Sequence, residues 1–370
     1  MSSTNTSSSR SEWRQFKITQ IVAESAVIKS FYLEPADGAA IAPHRAGQHL
    51  PIRLPQADGE PPLLRTYTVS VAPSAQQLRI SVRKLGVGSS HLHDAIAVGD
   101  VIDCREPDGE FIIDTAPAHP VVMIAAGVGI TPILAMISHL VDEGERTGAM
   151  RPITFFYAAR TRAERGFDGE LDRLSARSNG KLTIIRLLQE TDDAVIGKDY
   201  EEQGILSADV LEKYLGFQLY DFYMCGPPGF MQAVYDALTS HGVADHRIFA
   251  EAFGPASLKR QVETRETEPK AEASAVPVDV VFNAAGDHGV WASGSGSLLE
   301  FAESSGLTPE FGCREGACGA CKTPLVAGAV AYFRETSAAH GDDEVLICSA
   351  VPASTADGSI NKLVLAIGIG

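Results

Sequence analysis

Four cysteines near the C-terminus have the spacing of metal-cluster ligands. They follow the pattern C-x4-C-x2-C, and the last comes after 26 further residues: Cys313, Cys318, Cys321 and Cys348. Four thiolates at this spacing are the ligand set of a 2Fe-2S cluster. Glycine and alanine fill four positions between the first three cysteines, which lets the backbone approach bridging sulfides. Zinc is the alternative, but zinc frameworks usually contain two short C-x2-C pairs and only one pair is short here. Clustered thiols of this kind also predict a reducing compartment, the cytoplasm.

A second group combines a cation, an aromatic ring and a hydroxyl on one short strand, Arg65-Thr66-Tyr67-Thr68. An arginine can bind a phosphate through paired hydrogen bonds, and a tyrosine ring can stack on a flat cofactor. Further along the chain, Gly86-Val87-Gly88-Ser89 places a glycine turn and a hydroxyl at a predicted helix start, a favourable position for a phosphate. Arginine and tyrosine are common in strands, so the prediction depends on both groups together.

A third group lies at two strand-to-helix turns. Gly127-x-Gly129-x-x-Pro132 follows an apolar strand, with Thr131 predicted to cap the next helix and Pro132 to open it. Glycines there permit close approach of a nucleotide phosphate, although a glycine pair before a helix is often only a tight turn. Cys225-Gly226-Pro227 ends another apolar strand, where Cys225 could equally be a small buried hydrophobic residue.

The secondary structure that must position these groups changes along the chain, from short strands to alternating strands and helices. Residues 1–14 are Ser/Thr-rich and predict a disordered tail. Short alternating strands over 15–117 predict an antiparallel β-barrel. From 118 to 254, apolar strands alternate with helical patterns, which predicts a doubly wound α/β domain. A linker is expected over 255–277 and a third, small domain over 278–370.

Composition limits the remaining classes of protein. The 370 residues are 45% hydrophobic and 21% charged, which is ordinary for globular domains. A formal net charge of −16 argues against binding the phosphate backbone of nucleic acids as the main activity. No apolar run is long enough for a membrane span.

Taken together, these motifs resemble the ferredoxin–NADP reductase superfamily, in which a flavin barrel precedes a pyridine-nucleotide domain. The C-terminal part resembles a plant-type ferredoxin, an α+β fold of the β-grasp kind. The resemblance implies that Arg65 binds flavin phosphate, that Tyr67 stacks on the isoalloxazine and that Thr68 hydrogen-bonds near its N5. It implies catalytic roles for Thr68, Cys225 and Glu251, with Phe253 shielding the flavin. The other implied cofactor-binding residues are Val82, Gly86, Gly88, Ser89, Gly127, Gly129, Thr131, Pro132, Gly226 and Pro227.

The domain order is similar to that of reductase components of bacterial oxygenases, whose partner is usually a Rieske-type oxygenase. The resemblance implies NADH or NADPH as the hydride donor, FAD or FMN as the flavin, and single electrons leaving through the cluster. Arg160 and Arg162 could bind a 2′-phosphate or could be solvated charges. A reductase for a haem protein and a redox sensor without enzymatic activity are the alternative functions.

Overall fold

The structure is a computed structural model. It describes residues 13–55, 62–253, 258–260, 272–282, 288–312, 314, 316, 319–334, 336, 338, 340–354 and 362–367. Trp13 and Arg14, which the sequence placed in a disordered tail, belong to the fold, since the first strand begins at Arg14. None of the helices within the described ranges combines the length and the apolar composition needed to cross a bilayer.

The first unit is an antiparallel barrel, as the alternating pattern predicted. Its strands are β1 (Arg14–Ala23), β2 (Ile28–Pro35), β3 (His49–Leu54), β4 (Leu63–Thr68), β5 (Leu78–Arg83) and β6 (Val101–Cys104), with helix α1 (Val87–Asp94) between β5 and β6. They hydrogen-bond in the order β4-β3-β6-β1-β2-β5. A bridge between Val69 and Ile80, with the Ser70 N–H donating to the Arg79 carbonyl at 2.8 Å, joins the two outer strands and closes the barrel.

The second unit is a parallel sheet covered by helices on both faces. Its elements are β7 (Val121–Ala126), α2 (Ile130–Thr147), β8 (Ile153–Ala159), α3 (Asp168–Arg177), β9 (Leu182–Leu188), β10 (Glu202–Gln203), α4 (Ala208–Tyr214), β11 (Asp221–Gly226), α5 (Pro228–Ser240) and β12 (Ile248–Ala252). The strand order is β10-β9-β8-β7-β11-β12. Strand β7 is apolar throughout because Val121 and Met123 face the core with α2 and α3, whereas Val122 and Ile124 face the core with α4 and α5.

The third unit is a small mixed sheet with one helix, as expected for a β-grasp ferredoxin fold. It contains β13 (Val278–Val281), β14 (His288–Trp291), α6 (Leu298–Ser304), β15 (Lys322–Ala327), β16 (Val330–Tyr332), β17 (Glu344–Leu346), β18 (Ala350–Pro352) and β19 (Lys362–Leu365). The main sheet has the order β14-β13-β19-β15-β17, and β16 pairs with β18. The multidomain fold class is therefore confirmed.

The segment predicted to be a linker is held at both ends. On one side, Lys259 donates its N–H to the Gln232 side chain at 2.9 Å, and Arg260 donates to the Ile248 carbonyl at 2.9 Å. At its C-terminal end, the Ser274 N–H donates to the Pro352 carbonyl at 2.8 Å, so the third unit begins before Val278. The rest of the predicted linker, 255–257 and 261–271, lies outside the described residues.

A buried ion pair fastens the barrel to the parallel-sheet unit. Arg79 of β5 is 3% exposed, and its Nη1 lies 2.7 Å from Glu170 Oε2 of α3. The Tyr32 and Phe167 rings lie 5.8 and 5.3 Å from its guanidinium carbon, one from each unit. Because the pair is enclosed and hydrogen-bonded, these contacts keep the two units in a defined orientation.

Candidate functional site

The predicted nucleotide-binding turn lies at the point where the parallel sheet reverses its strand order. From β7 the chain proceeds to β8, β9 and β10 on one side, then returns to place β11 on the other side of β7. Ligands of doubly wound sheets bind in the crevice at such a switch point, outside the carboxyl ends of the strands. Gly127–Gly129 follows β7 and Cys225-Gly226-Pro227 ends β11, so the topology brings both predicted motifs to this crevice.

The two glycines of the first turn each have a structural reason. Gly127 has φ +55°, and a Cβ on Gly129 would lie 2.2 Å from the Cys225 carbonyl oxygen. They form one turn of 3₁₀ helix before α2 starts at Ile130. The prediction that Thr131 caps this helix and that Pro132 opens it is wrong. Gly129 is the cap residue, and the Thr131 hydroxyl donates to the Val128 carbonyl at 3.1 Å.

Cys225 and Glu251 are neighbours on adjacent strands, β11 and β12. Burial, with the Glu251 carboxyl adding to it, raises the pKa of the Cys225 thiol well above its usual value, so Cys225 is a neutral thiol. Burial also raises the pKa of Glu251 to about 8. Its Oε2 has no hydrogen-bond partner within the described part of the chain. The Glu251 carboxyl is therefore mostly protonated and neutral at pH 7.

The raised pKa of Glu251 makes a testable contribution to stability. The carboxyl is protonated in the folded state up to about pH 8 but ionises near 4.5 when the chain unfolds. The free energy of unfolding should therefore fall as pH rises from about 4.5 to about 8, by roughly 5 kcal/mol at most. Glu251→Gln should remove most of this slope in urea titrations between pH 5 and pH 9. An unchanged slope in Glu251→Gln would show that Glu251 ionises normally in the folded protein.

The barrel contributes a hydroxyl and an aromatic ring to the same region. Thr68 is 4% exposed, and its Oγ1 has no hydrogen-bond partner among the described residues. Its neighbour across the strands is His49, whose Nδ1 lies 4.0 Å from Glu251 Oε1. Tyr67 is half-buried against the barrel core, and burial raises its pKa to about 12, so the phenol stays neutral. A buried hydroxyl without a partner fits a cofactor acceptor such as a ring nitrogen.

Arg65 and Gly88 lie against each other, which fits a shared phosphate site. A Cβ on Gly88 would come within 2.9 Å of Arg65 Cγ, so the arginine crosses the first turn of α1 only because residue 88 is glycine. Gly86 precedes the helix with φ +82°. The Ser89 hydroxyl accepts the Leu85 N–H at 2.6 Å and donates to the Gly86 carbonyl, so it holds the loop. The guanidinium and the first N–H groups of α1 are thus the donors that could hold a phosphate.

Phe253 and Val82, two further residues predicted to bind the flavin, differ in burial: Phe253 is partly exposed and Val82 is buried. Phe253 follows β12 and is 36% exposed, so it does not pack into the core. Val82 is in the barrel core, and its carbonyl receives the His93 ring nitrogen at 2.8 Å. Its side chain therefore contributes to the barrel rather than to a surface that a flavin could reach.

Two of the four predicted cluster ligands are described, and they share one core. Cys321 and Cys348 are 2% and 3% exposed, and both raise the pKa of the Tyr332 hydroxyl, although burial is the larger cause. The Gly316 N–H donates to Cys348 Sγ at 3.2 Å, as a ligand loop around a sulfur cluster requires. Cys313 and Cys318 lie outside the described residues. Cys348 was expected in a strand, but β17 ends at Leu346 and Cys348 lies in the turn before β18.

Gly316 shows why the ligand loop requires glycine. It has φ +74°, and a Cβ there would lie 2.5 Å from Thr336 Cγ2 and 2.7 Å from Ser349 Oγ. The loop therefore folds tightly enough to bring an N–H to the Cys348 sulfur. The arrangement fits a 2Fe-2S cluster.

Sequence reasoning missed the residues that connect the two sites. His49 and Asp108 exchange backbone hydrogen bonds of 2.8 and 2.9 Å, and Gly109 leaves room for the His49 ring. The Asp108 carboxylate in turn lies 3.5 Å from Lys322 Nζ, next to Cys321. No short-range spacing pattern indicates these contacts, because Asp108 and Lys322 are far apart in the sequence.

Arg160 and Arg162 are engaged in ion pairs at the end of β8. Arg160 pairs with Glu164 and lies 3.9 Å from Glu190, and Arg162 lies 3.4 Å from Asp199. Both side chains are more than half exposed. Because acidic side chains already pair with both arginines, this edge of the crevice is a poor site for the 2′-phosphate of NADPH.

Family models match two parts of the chain. Residues 123–236 match the oxidoreductase NAD-binding domain, and residues 290–353 match the 2Fe-2S iron-sulfur cluster binding domain. Flavohemoprotein of Bordetella pertussis (strain Tohama I) is 38% identical over 253 residues, which cover 65% of this chain and 61% of that protein. The chain thus spans about three fifths of the length of this curated relative.

Solved structures extend the likeness. The FAD/NAD-binding domain of nitric oxide dioxygenase from Vibrio cholerae O1 biovar El Tor is 31% identical, with a TM-score of 0.58, and the match covers 66% of this chain and 100% of that domain. Phthalate dioxygenase reductase is 24% identical with a TM-score of 0.57, and the match covers 96% of this chain and 98% of that one. The second likeness concerns the fold and includes all three units.

Proposed function

Because the chain belongs to the ferredoxin–NADP reductase superfamily and carries a C-terminal 2Fe-2S ferredoxin domain, we propose that it is an electron-transfer reductase. It takes hydride from NADH onto FAD and passes single electrons through the 2Fe-2S cluster to a partner protein. We assign the flavin site to the barrel, predicted over 15–117, the nucleotide site to the parallel-sheet unit, predicted over 118–254, and the cluster to the ferredoxin domain, predicted over 278–370. Clustered thiol ligands are consistent with a location in the cytoplasm.

One observation carries this proposal. His49 pairs with Thr68 across β3 and β4, its Nδ1 lies 4.0 Å from Glu251 Oε1, and its backbone pairs with Asp108. Asp108 contacts Lys322, the residue after the predicted ligand Cys321. Residues of the proposed flavin site and a residue beside the proposed cluster are thus connected through one loop, which supports electron transfer within one chain.

The residues of this chain perform the steps around the cofactors. A bound flavin supplies the conversion between hydride and single electrons. Arg65 and the start of α1 would hold its phosphate, the Tyr67 ring would pack on its ring system, and the Thr68 hydroxyl would supply a hydrogen bond to it. The Gly127–Gly129 turn would hold the nicotinamide nucleotide at the end of β11, where Cys225 is a fully buried neutral thiol. Glu251 holds a proton beside this site.

For the partner, we propose a terminal oxygenase of the Rieske type. The order of flavin, nucleotide and ferredoxin domains supports it, and so does the fold likeness along nearly the whole chain to phthalate dioxygenase reductase. A haem protein is the second candidate, because the 38% identical relative is a flavohemoprotein. Comparing the rates at which the reduced protein reduces a Rieske protein and a haem protein would distinguish the two.

An anaerobic NADH titration followed by absorbance tests the proposed electron path. Bleaching of both a flavin band and a broader iron–sulfur band is expected, with FAD identified after release from the protein. Bleaching of the flavin alone would show that the cluster does not receive its electrons. An absence of any response to NADH or NADPH would refute the reductase function.

Arg65→Ala should weaken flavin binding. Removing a charge-assisted pair of hydrogen bonds to a phosphate should raise the dissociation constant roughly 10- to 100-fold. The variant should therefore be purified with little flavin, and titration with FAD should give the constant. Arg146→Ala, which removes an exposed arginine from α2, is the matched control and should keep its flavin. Full flavin occupancy in Arg65→Ala would show that Arg65 does not contribute to flavin binding.

The acidic partners of Arg160 and Arg162 predict a preference for NADH. Replacing both arginines by alanine should change kcat/KM for NADH and NADPH by the same factor, within about twofold, because neither arginine is available to a 2′-phosphate. Steady-state ferricyanide reduction with each nucleotide measures the ratio. A selective loss with NADPH would instead assign these arginines to 2′-phosphate recognition.

A further inference from the structure

The ferredoxin domain contacts the barrel through a tryptophan held between two arginines. The Trp13 ring lies 4.7 Å from the guanidinium carbon of Arg53 and 4.5 Å from that of Arg105. Arg105 forms an ion pair with Glu310 of the ferredoxin domain, and Trp13 Nε1 donates to the same carboxylate at 3.4 Å. The Arg105 and Glu310 side chains are 13% and 23% exposed, so water screens this pair less than an ordinary surface pair.

A second ion pair of opposite polarity lies beside the cluster ligands. The Asp108 Oδ2 of the barrel lies 3.5 Å from Lys322 Nζ. A Cβ on Gly319 would come within 3.1 Å of the same oxygen, so the ligand loop itself approaches Asp108. The barrel thus provides the cation for one pair and the anion for the other. A displaced docking position would bring like charges together, so two pairs of opposite polarity fix the register of the two domains.

The same barrel loop also contacts residues of the proposed flavin site. Asp108 pairs through its backbone with His49, and His49 Nδ1 lies 4.0 Å from Glu251. A short series of contacts therefore leads from the predicted hydride site to the predicted cluster loop. A change in the contact at residues 105–108 changes the distance between the two sites directly.

We propose that Trp13, Arg53, Arg105 and Asp108 form an intramolecular docking surface for the ferredoxin domain of the same chain, which contacts it through Glu310, Gly319 and Lys322. This surface holds the ferredoxin domain in the position from which its cluster is reduced. The electron-transfer part of the inference rests on the proposed function, whereas the docking itself does not. In the step it serves, one electron leaves the reduced flavin and one electron reaches the cluster.

Charge reversal tests the surface with two readouts in the full-length holoprotein. In a Trp291→Phe background, Trp13 is the one remaining tryptophan, and acrylamide quenching of its fluorescence reports docking. Stopped-flow absorbance after NADH mixing separates flavin reduction from cluster reduction. Arg105→Glu and Glu310→Arg should each increase quenching and slow cluster reduction roughly tenfold or more, with flavin reduction unchanged.

Combining the two reversals should restore both quantities to within about threefold of the parent protein, because the ion pair is re-formed with exchanged charges. Arg177→Glu, which reverses an exposed pair with Glu145 in the nucleotide domain, is the matched control and should change neither. Parent-like quenching in both single variants, or a double variant no better than either, would overturn the docking surface. Increased quenching with normal cluster reduction would overturn its role in electron transfer. Failure of NADH to reduce the flavin would concern the proposed function alone.

Discussion

Cys348→Ala is expected to abolish reduction of cytochrome c while leaving reduction of ferricyanide by the flavin within about twofold of the parent rate. Cys348 is 3% exposed, and its sulfur receives the Gly316 N–H, so replacement by alanine removes a sulfur around which the predicted ligand loop is folded. Cytochrome c reduction should fall roughly 100-fold or more, since the cluster is its electron donor. The variant should also lack the iron–sulfur absorbance.

Cys104→Ala is the matched control for this experiment. Cys104 is fully buried in β6 of the barrel, and burial raises the pKa of its thiol, so it is an inert core residue. Its replacement should lower stability slightly and leave both activities in place. Loss of ferricyanide reduction as well as cytochrome c reduction in Cys348→Ala would contradict an electron path that runs through the flavin first.

Gly129→Ala has the second largest expected effect, on nucleotide binding. The added Cβ would lie 2.2 Å from the Cys225 carbonyl oxygen, 2.5 Å from its carbonyl carbon and 2.8 Å from the Gly226 nitrogen. All three are backbone atoms and cannot rotate away, so the turn before α2 must move. The KM for NADH should rise roughly 30-fold or more and the rate of flavin reduction should fall, because a displacement of about 1 Å disturbs both the phosphate contacts and the approach of the nicotinamide.

Flavin content should be unaffected in Gly129→Ala, since Arg65 and α1 belong to the barrel. Gly229→Ala is the matched control: it lies in α5 of the same unit, and a Cβ there would have no neighbour within 4 Å. Stopped-flow reduction across a range of NADH concentrations gives both constants. A normal KM in Gly129→Ala would show that the nucleotide does not depend on this turn.

The elements that carry the motifs could be predicted because their patterns are local. The continuous apolar run Val121–Ala126 predicts a strand buried on both faces, and two helical cores cover it as expected. The start of α2 was predicted two residues too late, because the glycines of Gly127–Gly129 allow a 3₁₀ turn to come first. Whether glycines form such a 3₁₀ turn depends on the backbone angles they adopt, and a pattern of capping residues does not reveal those angles.

The residues between the two sites could not be predicted for a different reason. His49, Asp108 and Trp13 act through contacts with residues distant in sequence, and no residue type or spacing marks them. Gly88 is similar: the sequence shows a glycine before Ser89, but only the position of Arg65 explains it. For the cluster, the spacing of four cysteines that must meet at one centre is strongly restricted, and Cys321 and Cys348 do share one core; the full ligand set stays a prediction.

Arg260 is held by the Ile248 carbonyl, and Glu272 accepts the Ser354 N–H at 2.8 Å, so the chain between them limits how far the ferredoxin domain can move from the parallel-sheet unit. Eleven residues separate these two positions, and a fully extended chain of this length reaches at most about 40 Å. Confinement to a volume of that radius keeps the local concentration of the domain near its docking surface in about the millimolar range. Re-docking is then a first-order event that dilution does not slow. An acceptor protein that binds the same face of the ferredoxin domain would therefore have to compete with a docking surface that is always close by.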